Sequence, residues 1–118
     1  MIQNYEDLEV YRKSYKSALR SYAMSRKLPK EEMYGLASQV RRAALSVPLN
    51  IAEGYGKRES AAEFKRFLSM AKGSCDEMKV LADFMKDLGF IGEEEHRTVR
   101  GGYDEIGKML YALMKKWK

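Results

Sequence analysis

The chain has 118 residues, 45% of them hydrophobic and 33% charged, with two prolines, one cysteine and a net charge of +5. This composition excludes a disordered or collagen-like chain, and the length suits one domain around one core. No apolar run nears the roughly 18 residues of a membrane span, the first residues lack a signal-peptide pattern, and the lone Cys75 has no partner for an internal disulfide, so a reducing cytoplasm is expected.

Four helices are predicted in chain order. The first runs from about Asp7 to Lys27, with Leu8, Tyr11, Tyr15, Ala18, Leu19 and Tyr22 expected on its inner face at 100° per residue. Arg12, Lys13, Lys16, Arg20 and Lys27 fall on the opposite side, and Leu28-Pro29 stops the helix because the residue before proline is pushed out of the α region. The second is expected over about Glu31 to Tyr55, with Met33, Leu36, Val40, Ala44, Val47 and Ile51 inward. Pro48 has no N–H for the Ala44 carbonyl and is expected to kink it.

The third helix opens at Ser60, whose pairing with Glu63 reads as a capping box. A stripe from Phe64 through Leu68, Cys75 and Met78 to Leu88 is expected to be buried, and Gly89 suits the left-handed position after the helix. The fourth follows Phe90-Ile91-Gly92. Its first turn carries Glu93, Glu94 and Glu95 and its end carries Lys115, Lys116 and Lys118, each sign complementing the helix dipole. Short connections make consecutive helices antiparallel. The predicted fold is therefore all-α, an antiparallel up-down-up-down four-helix bundle in one domain, with helix two kinked at Pro48.

Charge is unevenly spread. Residues 1–30 hold seven Lys/Arg against three Asp/Glu, so +4 of the total +5 belongs to the first helix and its flanks. Arg12, Lys13, Lys16 and Arg20 on that helix, with Lys57 and Arg58 in the loop before helix three, are the candidate nucleic-acid-binding residues. Basic side chains on one face neutralise phosphates without reading sequence. The ordinary alternative is a solvated helix face. Tyr5, Tyr34 and Tyr55 near helix ends could stack on bases or close the core.

A second candidate is the polar row Gln39, Arg42, Ser46, Asn50 and Glu53, which lines one edge of helix two. Arg42 and Glu53 are roughly 16 Å apart along the axis and cannot pair with each other. Ser74 and Glu77 on helix three are their expected partners, in an interhelical network or at a subunit contact.

Enzymatic chemistry has little support. Cys75 falls on the buried stripe, His96 is the only histidine, no Glu-x-x-His pattern marks a di-metal bundle, and Gly54-Tyr55-Gly56-Lys57-Arg58 lacks the Walker spacing. No catalytic residue, metal site or cofactor is assigned. Eight methionines and eight tyrosines exceed what one small core absorbs, which favours a partner subunit.

Tyr5-Glu6-Asp7-Leu8-Glu9-Val10-Tyr11, the run from Gln39 to Gly54 that ends in Asn50-Ile51-Ala52-Glu53-Gly54, and Glu63-Phe64-Lys65-Arg66-Phe67-Leu68 together resemble the bacterial four helix bundle protein family, over nearly the whole chain. Some members are encoded inside intervening sequences of large-subunit ribosomal RNA genes, and the accessory proteins of diversity-generating retroelements are more distant relatives. The resemblance implies a homo-oligomer, with a pentamer favoured, and a positively charged surface for RNA or DNA and for a protein partner such as a reverse transcriptase. A non-enzymatic nucleic-acid-binding or ribonucleoprotein accessory role is the leading expectation. A protein-interaction scaffold whose charges only confer solubility is the alternative.

Overall fold

The computed structural model describes all residues, 1–118. Four helices, α1 (Glu9–Ser25), α2 (Leu36–Gly56), α3 (Ala61–Asp87) and α4 (Glu93–Lys116), form the bundle, with short 3₁₀ turns at Tyr5–Asp7 and Lys30–Glu32 and no strand. Contacts between helices run in opposite chain directions. Arg41 of α2 donates to Ser25 at the end of α1, Ser74 of α3 to Ser46 of α2, and His96 at the start of α4 meets Asp83 near the end of α3. The helices therefore alternate up and down, as the short connections require.

Local chemistry sets the boundaries. Leu8 is extended (φ −76°, ψ 124°), so α1 begins at Glu9 rather than Asp7. Ahead of it, Asn4 and Asp7 form a reciprocal capping box around the first 3₁₀ turn. Gly35 breaks the chain again (φ −110°, ψ −104°), and α2 starts at Leu36, five residues later than Glu31. Met33 is left exposed in the intervening turn instead of facing the core. The α2 helix continues through Pro48 without interruption. Ser60 caps α3 by accepting from the Glu63 N–H at 3.1 Å. The reciprocal arm of the expected box is missing, because the Glu63 carboxylate takes two hydrogen bonds from Arg66. At the other end Gly89 has φ +82°, Phe90 N–H bonds the Met85 carbonyl and Gly89 N–H the Lys86 carbonyl, the two bonds of a Schellman ending.

The inner faces of α2 and α3 are those expected, apart from Leu88, which is exposed. Val40, Ala44, Val47 and Ile51 meet Phe64, Leu68, Cys75 and Met78, with Tyr103, Ile106 and Leu110 closing the core from α4.

The first helix is the main correction. Its buried residues are Val10, Ser14, Ala18, Ser21, Met24 and Ser25, whereas Tyr15 and Leu19 are 50% and 59% exposed. The three buried serines have little bulk and all have partners. Ser14 and Ser25 donate to the carbonyls of Tyr11 and Tyr22, and Ser21 shares a hydrogen bond with the Tyr103 hydroxyl. Small side chains let α1 lie close to its neighbours, and satisfied hydroxyls remove the cost of burying them.

Candidate nucleic-acid interface

With Ser14, Ser21 and Ser25 turned inward, the tyrosine and leucine stripe moves to the flank of α1 and the cations occupy its outer edge. Arg12, Lys16 and Arg20 follow one another at four-residue spacing, all exposed. Arg12 donates to the Glu6 carbonyl at 2.8 Å, which uses hydrogen-bonding capacity but leaves its charge unneutralised. Lys16 and Arg20 take part in no ion pair. Lys13 differs from its neighbours, since it turns toward α4 and pairs with Glu105 at 3.2 Å.

Arg66, Lys72, Lys79, Lys86, Arg100 and Lys108 on the other helices are ion-paired, whereas Arg42, Lys65, Arg97, Lys115 and Lys116 are not. Lys79 lies between Asp76 and Asp104 at 3.4 and 3.2 Å, Lys108 also reaches Asp104, and Lys86 meets Glu93. Asp83 accepts from His96 at 2.7 Å and from Arg100 at 2.9 Å. The His96 hydrogen bond, with the nearby Arg100 charge, holds the Asp83 carboxyl below its ordinary range. Hydrogen bonds from Lys108 and Lys79 lower Asp104 likewise. These pairs tie α3 to α4 and leave that side electrically balanced.

The two loop cations sit at the bundle end where α2 meets α3. Arg58 folds back, donating to the Tyr55 carbonyl at 2.9 Å with its guanidinium 4.1 Å from the Tyr55 ring centre. Lys57 lies over Phe67. Tyr55 itself is buried against Phe64, and Trp117 covers Phe64 from α4. Tyr34, at 96% exposed, is the uncovered one of the three end tyrosines, while Tyr5 packs edge-on against Tyr11.

Of the polar row on α2, the fold brings together Ser46, Asn50 and Ser74. Asn50 Nδ2 donates to the Ser46 carbonyl and hydroxyl at 2.8 and 2.9 Å, and Ser74 Oγ donates to Ser46 Oγ at 2.8 Å. Gln39, Arg42, Glu53 and Glu77 do not join this seam; all four are exposed and make no side-chain hydrogen bond or ion pair within the chain. Within the chain, the interhelical network expected of this row with Ser74 and Glu77 thus comes down to a short hydroxyl-amide seam. Gly54, at the end of the same segment, has a packing role. A Cβ there would lie 2.6 Å from the Phe67 Cβ, so only glycine lets α2 and α3 approach this closely.

The one cysteine is not available as a nucleophile. Cys75 is fully buried and burial, assisted by Asp76, pushes its thiol up to about 12, so it stays protonated. No group of three His, Cys, Asp or Glu side chains is placed to hold a metal ion, and no helix is long and apolar enough to cross a membrane.

Residues 6–112 match the model of the 23S rRNA-intervening sequence protein family. The chain belongs to that family. A solved structure from Bacteroides thetaiotaomicron VPI-5482, a protein of unknown function from the S23 ribosomal protein family, shares 23% identity, with a TM-score of 0.83 over 90% of this chain and 98% of the other. At that identity the likeness establishes the fold. No curated protein matches the chain significantly. In this chain the segment Asn50 to Gly54 works structurally at three of its five positions. Asn50 braces Ser46, Ile51 fills the core and Gly54 admits Phe67, whereas Glu53 is left to solvent.

Proposed function

We propose that this intervening-sequence protein is a non-enzymatic, self-associating bundle that binds nucleic acid through the outer edge of α1. The observation that carries the reading is the row Arg12, Lys16 and Arg20, exposed and without acidic partners, beside an α3–α4 side whose charges cancel. Phosphates are the natural counter-charge for such a row, and contacts of this kind hold a backbone without reading its sequence. Lys57 and Arg58 are secondary contacts, since both already lie over aromatic rings. Self-association multiplies the effect. With +5 per chain, a pentamer, the assembly favoured by the family resemblance, carries about +25 and a field of longer reach.

A labelled structured RNA and a duplex DNA, titrated by anisotropy at about 50 and 200 mM salt, test the reading. Binding is expected to weaken by orders of magnitude between those conditions and to disappear when Arg12, Lys16 and Arg20 are all changed to Glu. Absence of binding at the lower salt rejects it. An apolar groove between α1 and α2, lined by Tyr15, Leu19, Leu45 and Leu49, favours the second reading, a protein-interaction scaffold without nucleic acid.

A further inference from the structure

Among the apolar surfaces that the fold leaves uncovered, two stand on different helices. One is a groove of about 480 Å³ between α1 and α2, walled by Tyr15, Leu19 and Tyr22 on one side and by Leu45 and Leu49 on the other. The other is the outer side of α3, where Phe84 also borders a shallow recess with Leu36, Leu81 and Leu88. Besides its core-facing stripe, α3 carries a second one on its outer side, where Met70, Glu77, Val80 and Phe84 recur at sevens, threes and fours. Val80 and Phe84 are 52% and 56% exposed there. That spacing suits a helix seam, and exposed apolar patches mark contact sites.

Charge distinguishes the partner. Arg42 borders the groove, three and seven residues before Leu45 and Leu49, while Glu77 interrupts the α3 stripe, and neither has an ion-pair partner within the chain. Their heights on the bundle also agree. The Ser46–Ser74 hydrogen bond sets the antiparallel register of α2 and α3, which puts Arg42 and Glu77 at one level. A second copy rotated about an axis along the bundle keeps that level and can bring its Glu77 to the first copy's Arg42. Two unlike faces on different sides of one chain pair head to tail, and such contacts form rings when the rotation between copies closes.

We infer that the outer stripe of α3 in one copy seats in the α1–α2 groove of the next, with Glu77 against Arg42. This names the interface of the self-association proposed above and rests on it. The mode is a helix laid in a groove. It leaves the Arg12, Lys16 and Arg20 edge of α1 free for phosphate.

The test is sedimentation of the full chain as wild type, as Leu49→Glu (groove) and as Phe84→Glu (stripe). Both sites are exposed, at 64% and 56%, and circular dichroism confirms that each variant keeps its helices. The wild type is expected to sediment as an oligomer and each variant alone as a monomer. An equimolar mixture is expected to form 1:1 dimers and nothing larger, because one intact groove meets one intact stripe. A Phe84→Glu protein that assembles like the wild type overturns the inference while leaving self-association standing, as does a mixture that stays monomeric. A monomeric wild type overturns both, without touching the separate anisotropy result for nucleic acid.

Discussion

Gly54 of α2 rests against Phe67 of α3 so closely that a methyl group at Gly54 would lie 2.6 Å from the Phe67 Cβ and 3.2 Å from the Phe64 ring. The Cβ of Phe67 is fixed to the backbone, so relief requires the helices to separate. Alanine gains about 1 kcal/mol over glycine in a helix interior, but overpacking costs about 1–3 kcal/mol. Gly54→Ala is therefore expected to be destabilising by about 1–2 kcal/mol in urea unfolding. Gly101→Ala in α4, where an added Cβ meets nothing within 4 Å, is expected to stabilise by roughly 0.5–1 kcal/mol. Equal effects at both sites would remove the close-approach argument.

Tyr103 and Ser21 share a buried hydrogen bond of 3.0 Å between α4 and α1. Burial pushes the phenol up to about 12, so the pair persists across the physiological pH range. Tyr103→Phe leaves the Ser21 hydroxyl unpaired and is expected to cost about 1–2 kcal/mol. Adding Ser21→Ala removes the orphaned group and is expected to recover part of that loss, which a double-mutant cycle measures.

Acid is expected to loosen the α3–α4 seam. Asp83 and Asp104 both titrate below the ordinary 3.8 in the folded chain, Asp83 because His96 and then Arg100 favour its charged form, Asp104 because Lys108 and Lys79 do. A carboxyl with a depressed folded pKa contributes stability above its unfolded value and loses it as pH falls through the folded one. Thermal midpoints should therefore decline below about pH 4. Asp83→Asn should lower the midpoint at neutral pH and flatten that decline. An unchanged acid profile in the variant would assign the pH dependence elsewhere.

Cys75 should be silent to thiol reagents in the folded protein. Its side chain has no exposure and its thiol is held up at about 12 by burial. Ellman's reagent at pH 8 is expected to label one thiol per chain in guanidinium and essentially none without it, since only the thiolate reacts. Rapid native labelling would show that α3 opens toward its C-terminal half.

The helical pattern, the short connections and the Gly89 ending were legible in the chain because each depends on neighbours within one turn. Periodicity placed the inward faces of α2 and α3 for the same reason, since their core residues recur at helical spacing. In α1 that logic failed. Tyr11, Tyr15, Leu19 and Tyr22 outrank Ser14, Ser21 and Ser25 on any hydrophobic scale, yet the serines are inside. Their fit depends on the Tyr103 hydroxyl, 82 residues away, and on how closely α1 can approach its neighbours.

The same division runs through the site. Composition alone located the excess positive charge in the first thirty residues, because net charge adds up without regard to conformation. Which cations stay free was decided by tertiary contacts, since Lys13 finds Glu105 across the bundle while Lys16 and Arg20 find nothing. Helical spacing placed Gln39, Arg42, Ser46, Asn50 and Glu53 on one edge of α2. Only the packing of α3 showed that Ser46 meets Ser74 and that Arg42 and Glu77 face solvent. One-turn rules act along the chain, whereas ion pairs and buried hydroxyls are settled by distances of 3–4 Å between segments that no local pattern brings together.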